Sequence, residues 1–166
     1  MKKILVPTDF SEQAGIALKA AAGIARKSNA EIILLHIIDL PQETMDMIKP
    51  GYDLPEIMLF KEGAEARLSQ TSLSEELNGL TVSQILILGR TFNEVIQVAK
   101  TNDIDLIVMG SHGASGFKEF FIGSNTEKVI RMSEVPVLAI KGNNTDIKFD
   151  KVVFAHDFTE EATPGF

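Results

Sequence analysis

The sequence predicts an α/β fold: a five-stranded parallel sheet with helices on both faces. Two observations predict it. Apolar runs recur at Ile4 to Pro7, Ile32 to Ile38, Val82 to Leu88, Leu106 to Met109 and Val135 to Ile140. Segments with helical spacing lie between them. Strands that are apolar throughout belong to sheets covered on both faces, and regular alternation of strand and helix makes such sheets parallel.

Each element has its own signal. Ile4 to Pro7 is short and apolar, and Thr8-Asp9 ends it. Ser11 can cap a helix with Glu12 and Gln13 in its first turn, and Ala14, Leu18, Ala21 or Ala22 and Ala25 then recur at helical spacing. Ile32 to Ile38 is a second strand, interrupted only by His36. Pro41 to Asp53 reads as an irregular connection broken by Pro50-Gly51. A helix from about Pro55 to Leu77 follows and stops at Asn78-Gly79. Val82 to Leu88 is the third strand and Asn93 to Lys100 a short helix. The fourth strand, a glycine-rich stretch, a helix from Ser124 to Met132 and the fifth strand complete the order.

The glycine-rich stretch carries the strongest functional signal. Gly110, Gly113 and Gly123, with Ser124 next, form the pattern G-x2-G-x9-G-S. A strand that runs into glycines and then a helix can hold phosphate, because glycine admits close backbone approach and helix-start amides point at the anion. The spacing matches neither G-x-G-x-x-G nor G-x-x-x-x-G-K-[ST], so the dinucleotide fingerprint and the P-loop do not apply. Plain turn glycines are the other reading. Ligands of such sheets sit at the carboxyl ends of the strands, where the strand order reverses. Thr8-Asp9, Ile37 to Asp39 and Gly110 to Gly113 all lie at such ends.

With Ser111-His112-Gly113 inside the motif, GSNTEKVIR after it, PVLAIK closing it, and KILVPTDFSE and IILLHIID upstream, residues 1–142 resemble the nucleotide-binding branch of the universal stress proteins. The resemblance implies a Rossmann-like, adenine nucleotide alpha hydrolase-like fold and an adenine nucleotide ligand (ATP, or ADP or AMP), with Mg²⁺ arriving on the triphosphate. It implies phosphate contacts from Gly110, Gly113, Gly123, Ser124, Asn125 and Thr126, with Ser111 and His112 beside them. It implies that Asp9 and the backbone of Ile37 hold the nucleoside end, with Pro7 and Thr8 shaping the same wall. Gly116 falls in a stretch that the family varies and reads as flexibility. The family often has an aliphatic residue where Asn125 stands, which backbone contacts would tolerate.

Residue chemistry leaves alternatives at several positions. Asp9 can be a helix-entry residue, or a pocket carboxylate that accepts from an adenine amino group or a ribose hydroxyl. Ser124 can cap the last helix and bind phosphate, since both uses place its hydroxyl beside free amides. His36 reads as a hydrogen-bonded structural residue. His112 has no visible partners for a triad, and His36, His112 and His156 without any cysteine make a poor zinc set.

Composition excludes several classes. A chain of 166 residues can bury a core, and its 45% hydrophobic and 23% charged content is ordinary for globular proteins. A net charge of −7 argues against nucleic acid as a partner. Without cysteine there is no disulfide and no thiol nucleophile. No apolar run is long enough for a membrane span, and Asp9 interrupts any reading of the start as a secretory signal. A cytoplasmic protein is expected.

Lys3 to Ala14 (KILVPTDFSEQA) reappears as Lys151 to Ala162 (KVVFAHDFTEEA), about one domain length later. The expected organisation is a domain over 1–142 and, over 143–166, a linker with the truncated start of a repeated second domain. The expected function is an ATP-binding module without strong catalysis. A slow ATPase or adenylyl-transferring enzyme, and a nucleotide-free interaction module, are the alternatives. The fifth strand, Val135 to Ile140, is expected at a sheet edge. Its pairing with a second copy as a homodimer is expected from the resembled family, with Leu138 as the residue where proline would break it.

Overall fold

The computed structural model describes residues 1–40, 55–111, 122–142 and 153. Over these residues the chain runs β1 (Lys3–Pro7), α1 (Glu12–Ser28), β2 (Glu31–Ile38), α2 (Pro55–Ser72), a 3-10 turn (Glu75–Leu77), β3 (Val82–Leu88), α3 (Thr91–Thr101), β4 (Leu106–Gly110), α4 (Ser124–Met132) and β5 (Val137–Ile140). The five strands form one sheet in the order β3-β2-β1-β4-β5, and every pairing is parallel. The expected fold class is therefore the observed one. No helix among the described residues is long and apolar enough to cross a membrane.

Both sheet faces are covered, which is why the central strands β1 and β4 and most of β2 read as apolar runs. Ile4, Val6, Ile32, Leu34 and Val108 pack with the alanine-rich face of α1 and with Leu68 of α2. The alternate residues Leu5, Ile33, Leu35, Ile107 and Met109 pack with Val95, Val98 and Ala99 of α3 and Val129 of α4. The period-2 alternation of strand side chains thus feeds two separate cores.

Helix α1 is capped by a side chain at its start and by backbone at its end. The Ser11 hydroxyl accepts from the Ala14 amide at 3.2 Å, as the sequence leads one to expect, and Asn29 closes the helix in a left-handed conformation at φ 52°. At the opposite edge of the sheet, the Asp105 carboxylate accepts from the backbone amides of Lys2 and Lys3. These bonds hold its pKa below the ordinary carboxylate value.

Three boundaries differ from the sequence expectation, each for a local reason. Helix α2 stops at Ser72 rather than Leu77, because the Ser72 hydroxyl donates to the Ser69 carbonyl and Ser74 turns extended, leaving a separate 3-10 turn that buries Leu77. Helix α3 starts at Thr91 rather than Asn93, without any side-chain cap to announce it. Strand β5 pairs from Val137 rather than Val135, because the Ser133 hydroxyl occupies both polar backbone groups of Val135 and Pro136 offers only a carbonyl, which accepts from Ile107 at 2.9 Å.

Ladder alternation also corrects one expectation at the β5 edge. The Pro136 and Ile140 carbonyls both accept from β4 or its end, from Ile107 and Ser111. By the same alternation the backbone of Leu138 faces β4, and the outward polar groups belong to Val137 and Ala139. Proline at Leu138 would therefore damage the sheet itself and not the free edge.

Gly110 ends β4 where it passes α1. A Cβ at Gly110 would stand 3.1 Å from the carbonyl carbon and oxygen of Gln13, both backbone atoms. A side chain at Gly110 would thus crowd the backbone of α1, independently of any ligand. Gly110→Ala should push α1 away from β4 and cost about 1–2 kcal/mol of stability, read as a lower denaturation midpoint with an unchanged slope.

Candidate functional site

The sheet prepares a cleft at one point of its carboxyl edge. Strand β1 pairs with β2 along its whole length, Lys3↔Glu31 to Pro7↔Leu35, but with β4 only at Ile4↔Leu106 and Leu5↔Ile107. Beyond Leu5 the two central strands have different partners: β1 continues along β2, and β4 continues along β5 to Gly110↔Ile140. This is where the strand order reverses, the position at which open parallel sheets bind ligands.

A cleft of ≈ 220 Å³ opens there. One wall is the end of β1, with Pro7, Thr8 and Asp9; Leu35 and Ile37 of β2 stand behind it. The other wall is Met109 and Gly110 of β4 with Gly123, Ser124, Asn125 and Thr126 at the start of α4. Ala14 of α1 and Thr91 of α3 complete the lining.

The α4 wall is held in place by backbone. The Gly123 amide donates to the Ser111 carbonyl at 2.6 Å, and the Ser111 amide donates to the Ile140 carbonyl at 2.8 Å. The Thr126 hydroxyl, on a residue only 4% exposed, donates to the Gly110 carbonyl at 2.9 Å. These bonds bring the two ends of the glycine-rich motif together and set the first turn of α4 against the end of β4. Gly123, not Ser124, is the cap residue, and the first helical hydrogen bond runs from the Glu127 amide to the Gly123 carbonyl at 2.9 Å. The amides of Ser124, Asn125 and Thr126 therefore have no carbonyl partner within the helix. They carry the positive end of its dipole and suit an anion.

The β1 wall is a short turn built by side chains. The Thr8 amide continues the ladder to the Leu35 carbonyl at 2.8 Å. The Thr8 hydroxyl accepts from the Phe10 amide, and the Asp9 carboxylate accepts from the Ser11 amide, both at 3.0 Å. Asp9 is thus both the helix-entry residue and a cleft residue; the two readings are one geometry. It is exposed and is the one carboxylate among the described lining residues.

Of the residues singled out from sequence, Pro7, Thr8, Asp9, Ile37, Gly110, Gly123, Ser124, Asn125 and Thr126 come together around this cleft. Ser111 is buried beneath it, with its backbone joining β5 and Gly123. His36 lies outside the lining and bonds the Thr8 carbonyl at 2.7 Å, in keeping with a hydrogen-bonded structural residue. His112, Gly113 and Gly116 lie outside the described residues, as do 143–152 and 154–166. Sequence reasoning missed Ala14, Leu35, Thr91 and Met109. Thr91 was reachable by extending the carboxyl-end rule to β3. Ala14, Leu35 and Met109 are core-facing positions whose exposure to the cleft depends on how the strands diverge.

Comparison with known proteins places these features in context. Residues 1–141 match the Universal stress protein family. Universal stress protein MJ0577 of Methanocaldococcus jannaschii is 36% identical over 157 residues, covering 87% of this chain and 97% of the relative. The solved structure of MJ0577 aligns with a TM-score of 0.73 over 86% of this chain and 97% of its own. A universal stress protein in complex with cAMP shares the fold with a TM-score of 0.63 at 23% identity, covering 84% of this chain and 96% of that one. One from Archaeoglobus fulgidus in complex with dAMP does so with a TM-score of 0.58 at 22% identity, covering 85% and 98%.

Thr126→Val removes a donor at constant shape and leaves the part-buried Gly110 carbonyl without this partner. It should cost about 1–3 kcal/mol and loosen the start of α4, measurable as a lower midpoint in urea and faster amide exchange at Gly123 and Ser124.

Proposed function

Because the chain belongs to the universal stress protein family, we propose that it is an adenine-nucleotide-binding module, with ATP as ligand. One observation carries the reading. A helix start with three amides lacking intrahelical partners and a carboxylate on the β1 wall line the same cleft. The amides and hydroxyls of Ser124, Asn125 and Thr126 would take the phosphates, with Gly110 and Gly123 allowing close approach. Gly113, with His112 beside it, belongs to the same phosphate-binding proposal by its place in the motif. Asp9 is a poor neighbour for phosphate and a good acceptor for an amino group or a ribose hydroxyl, so the nucleoside would lie at the β1 wall against Ile37. The cAMP and dAMP complexes are of proteins sharing only the fold; the extension to this chain rests on its own residues.

No group of three His, Asp or Glu suited to a metal occurs among the described residues. Mg²⁺ would therefore be held mainly by the phosphates it accompanies, where it neutralises their charge. Among the described lining residues there is no His, Lys, Tyr or Cys to serve as base or nucleophile, which favours binding over strong catalysis. A slow ATPase or adenylyl transferase would need a group to position water or an acceptor; His112 is the candidate. Product analysis after incubation with radiolabelled ATP separates these readings.

Calorimetric titration should show ATP binding, weakened about tenfold by Asp9→Ala through removal of a hydrogen bond to a charged acceptor. GTP should bind more weakly than ATP, because guanine carries a carbonyl where adenine offers its amino group. Equal competition by GTP, or full affinity in Asp9→Ala, would overturn the assignment of the nucleoside end.

We further propose a homodimer through the β5 edge, Val135 to Ile140. β5 ends the sheet, its residues Val137, Leu138 and Ala139 are half-buried, and an apolar edge needs covering. Light scattering should report twice the 18.2 kDa chain mass. Ala139→Pro removes an outward amide and should shift the protein toward monomer while leaving the sheet intact. A wild-type protein monomeric at high micromolar concentration would refute the dimer.

A further inference from the structure

His36 touches the cleft only through another residue. Its Nδ1 stands 2.7 Å from the Thr8 carbonyl oxygen. A carbonyl only accepts, so this bond needs the proton on Nδ1. The imidazole also lies against Phe10, with ring centroids 4.4 Å apart, and the Arg67 guanidinium of α2 stands 4.5 Å from the Phe10 centroid. Phe10 itself is held at φ 61°, in the left-handed region. A bulky residue stays there only where its surroundings hold it. The Phe10 amide is bound by the Thr8 hydroxyl, and the next amide, of Ser11, is bound by Asp9. One imidazole thus fixes the peptide before Asp9 and seats the strained residue after it.

We propose that His36 is a positioning residue for the nucleoside end of the cleft, acting by setting the direction of the Asp9 carboxylate. The proposal rests on the adenine-nucleotide reading above. The backbone on either side of Asp9 is held by the Thr8 carbonyl bond and by the Phe10 ring, and both interactions belong to His36. Arg67 backs Phe10 from α2, so this helix, which does not itself line the cleft, contributes to the wall at one remove. A histidine that merely fills space would have no particular tie to Asp9.

A double-mutant cycle separates these roles. ATP is titrated by calorimetry into wild type, His36→Leu, Asp9→Ala and the double variant, with thermal unfolding of each recorded in parallel. His36→Leu should weaken ATP binding about tenfold, the scale of a single charge-assisted hydrogen bond. In the Asp9→Ala background the same change should weaken it less than about twofold, because the group being positioned is gone. His36→Asn, which returns an amide donor near the Nδ1 position, should recover most of the affinity. If His36→Leu does not fold, Phe10→Ala takes its place in the cycle with the same expected coupling. Equal effects in both backgrounds, or undiminished ATP affinity in a folded His36→Leu or Phe10→Ala, would overturn the positioning role. A wild-type protein that binds no adenine nucleotide would overturn the functional reading and this role with it; a wild type that binds ATP with no coupling to Asp9 would overturn this role alone.

Discussion

The cleft exists because β1 and β4 are neighbours for two residue pairs and then keep different company. A parallel ladder that continued to the ends of both strands would leave no room between them. Pairing with β2 carries β1 one way and pairing with β5 carries β4 the other. Everything placed at those two strand ends then faces a common space. The turn at Thr8 to Ser11 and the start of α4 are such placements, and neither needs the other to form.

The two walls are built by different means, suited to different ligand chemistry. The α4 wall is backbone held largely by backbone: Ser111 to Gly123, Glu127 to Gly123, with the Thr126 hydroxyl tying the helix to the end of β4. What it presents is a set of amides, which select for negative charge and little else. The β1 wall is side chain on backbone, with Thr8, Asp9 and His36 each satisfying a specific group. Among the described lining residues it presents one carboxylate, that of Asp9, which accepts from the Ser11 amide. In the proposed reading, affinity for an anion and discrimination of the group attached to it fall to separate parts of the chain.

Much of this is legible in the sequence. Apolar runs locate the strands, most plainly β1, β2 and β4, where burial on both faces removes polar alternation, and the first helix is legible because its cap, Ser11, is local. The meeting of Thr8-Asp9, Ile37 and the glycine motif follows from the carboxyl-end rule. Other features depend on partners distant in sequence. Gly110 looks like a ligand glycine, and only its approach to Gln13 shows the packing demand. Ser133 displaces the start of β5 through a hydroxyl that no propensity rule weighs. Serine favours a helix cap, so Ser124 reads as one, yet Gly123 holds the place, where the adjoining Ser111 carbonyl takes its amide. His36 reads as structural from its position in a strand, but its tie to the far side of Thr8 is a tertiary fact.

The contacts that join β1 to the start of β4 span a great length of chain. The bond from Lys3 to Asp105 closes a separation of 102 residues, whereas β1, α1 and β2 form a continuous local unit. Entropy disfavours closing so long a loop until other contacts reward it. The seam between β1 and β4 is therefore the junction of an amino-terminal and a carboxyl-terminal half. A molecule seated across it touches both halves at once and acts as a clasp, so its binding energy bears on the step that makes the chain a single body.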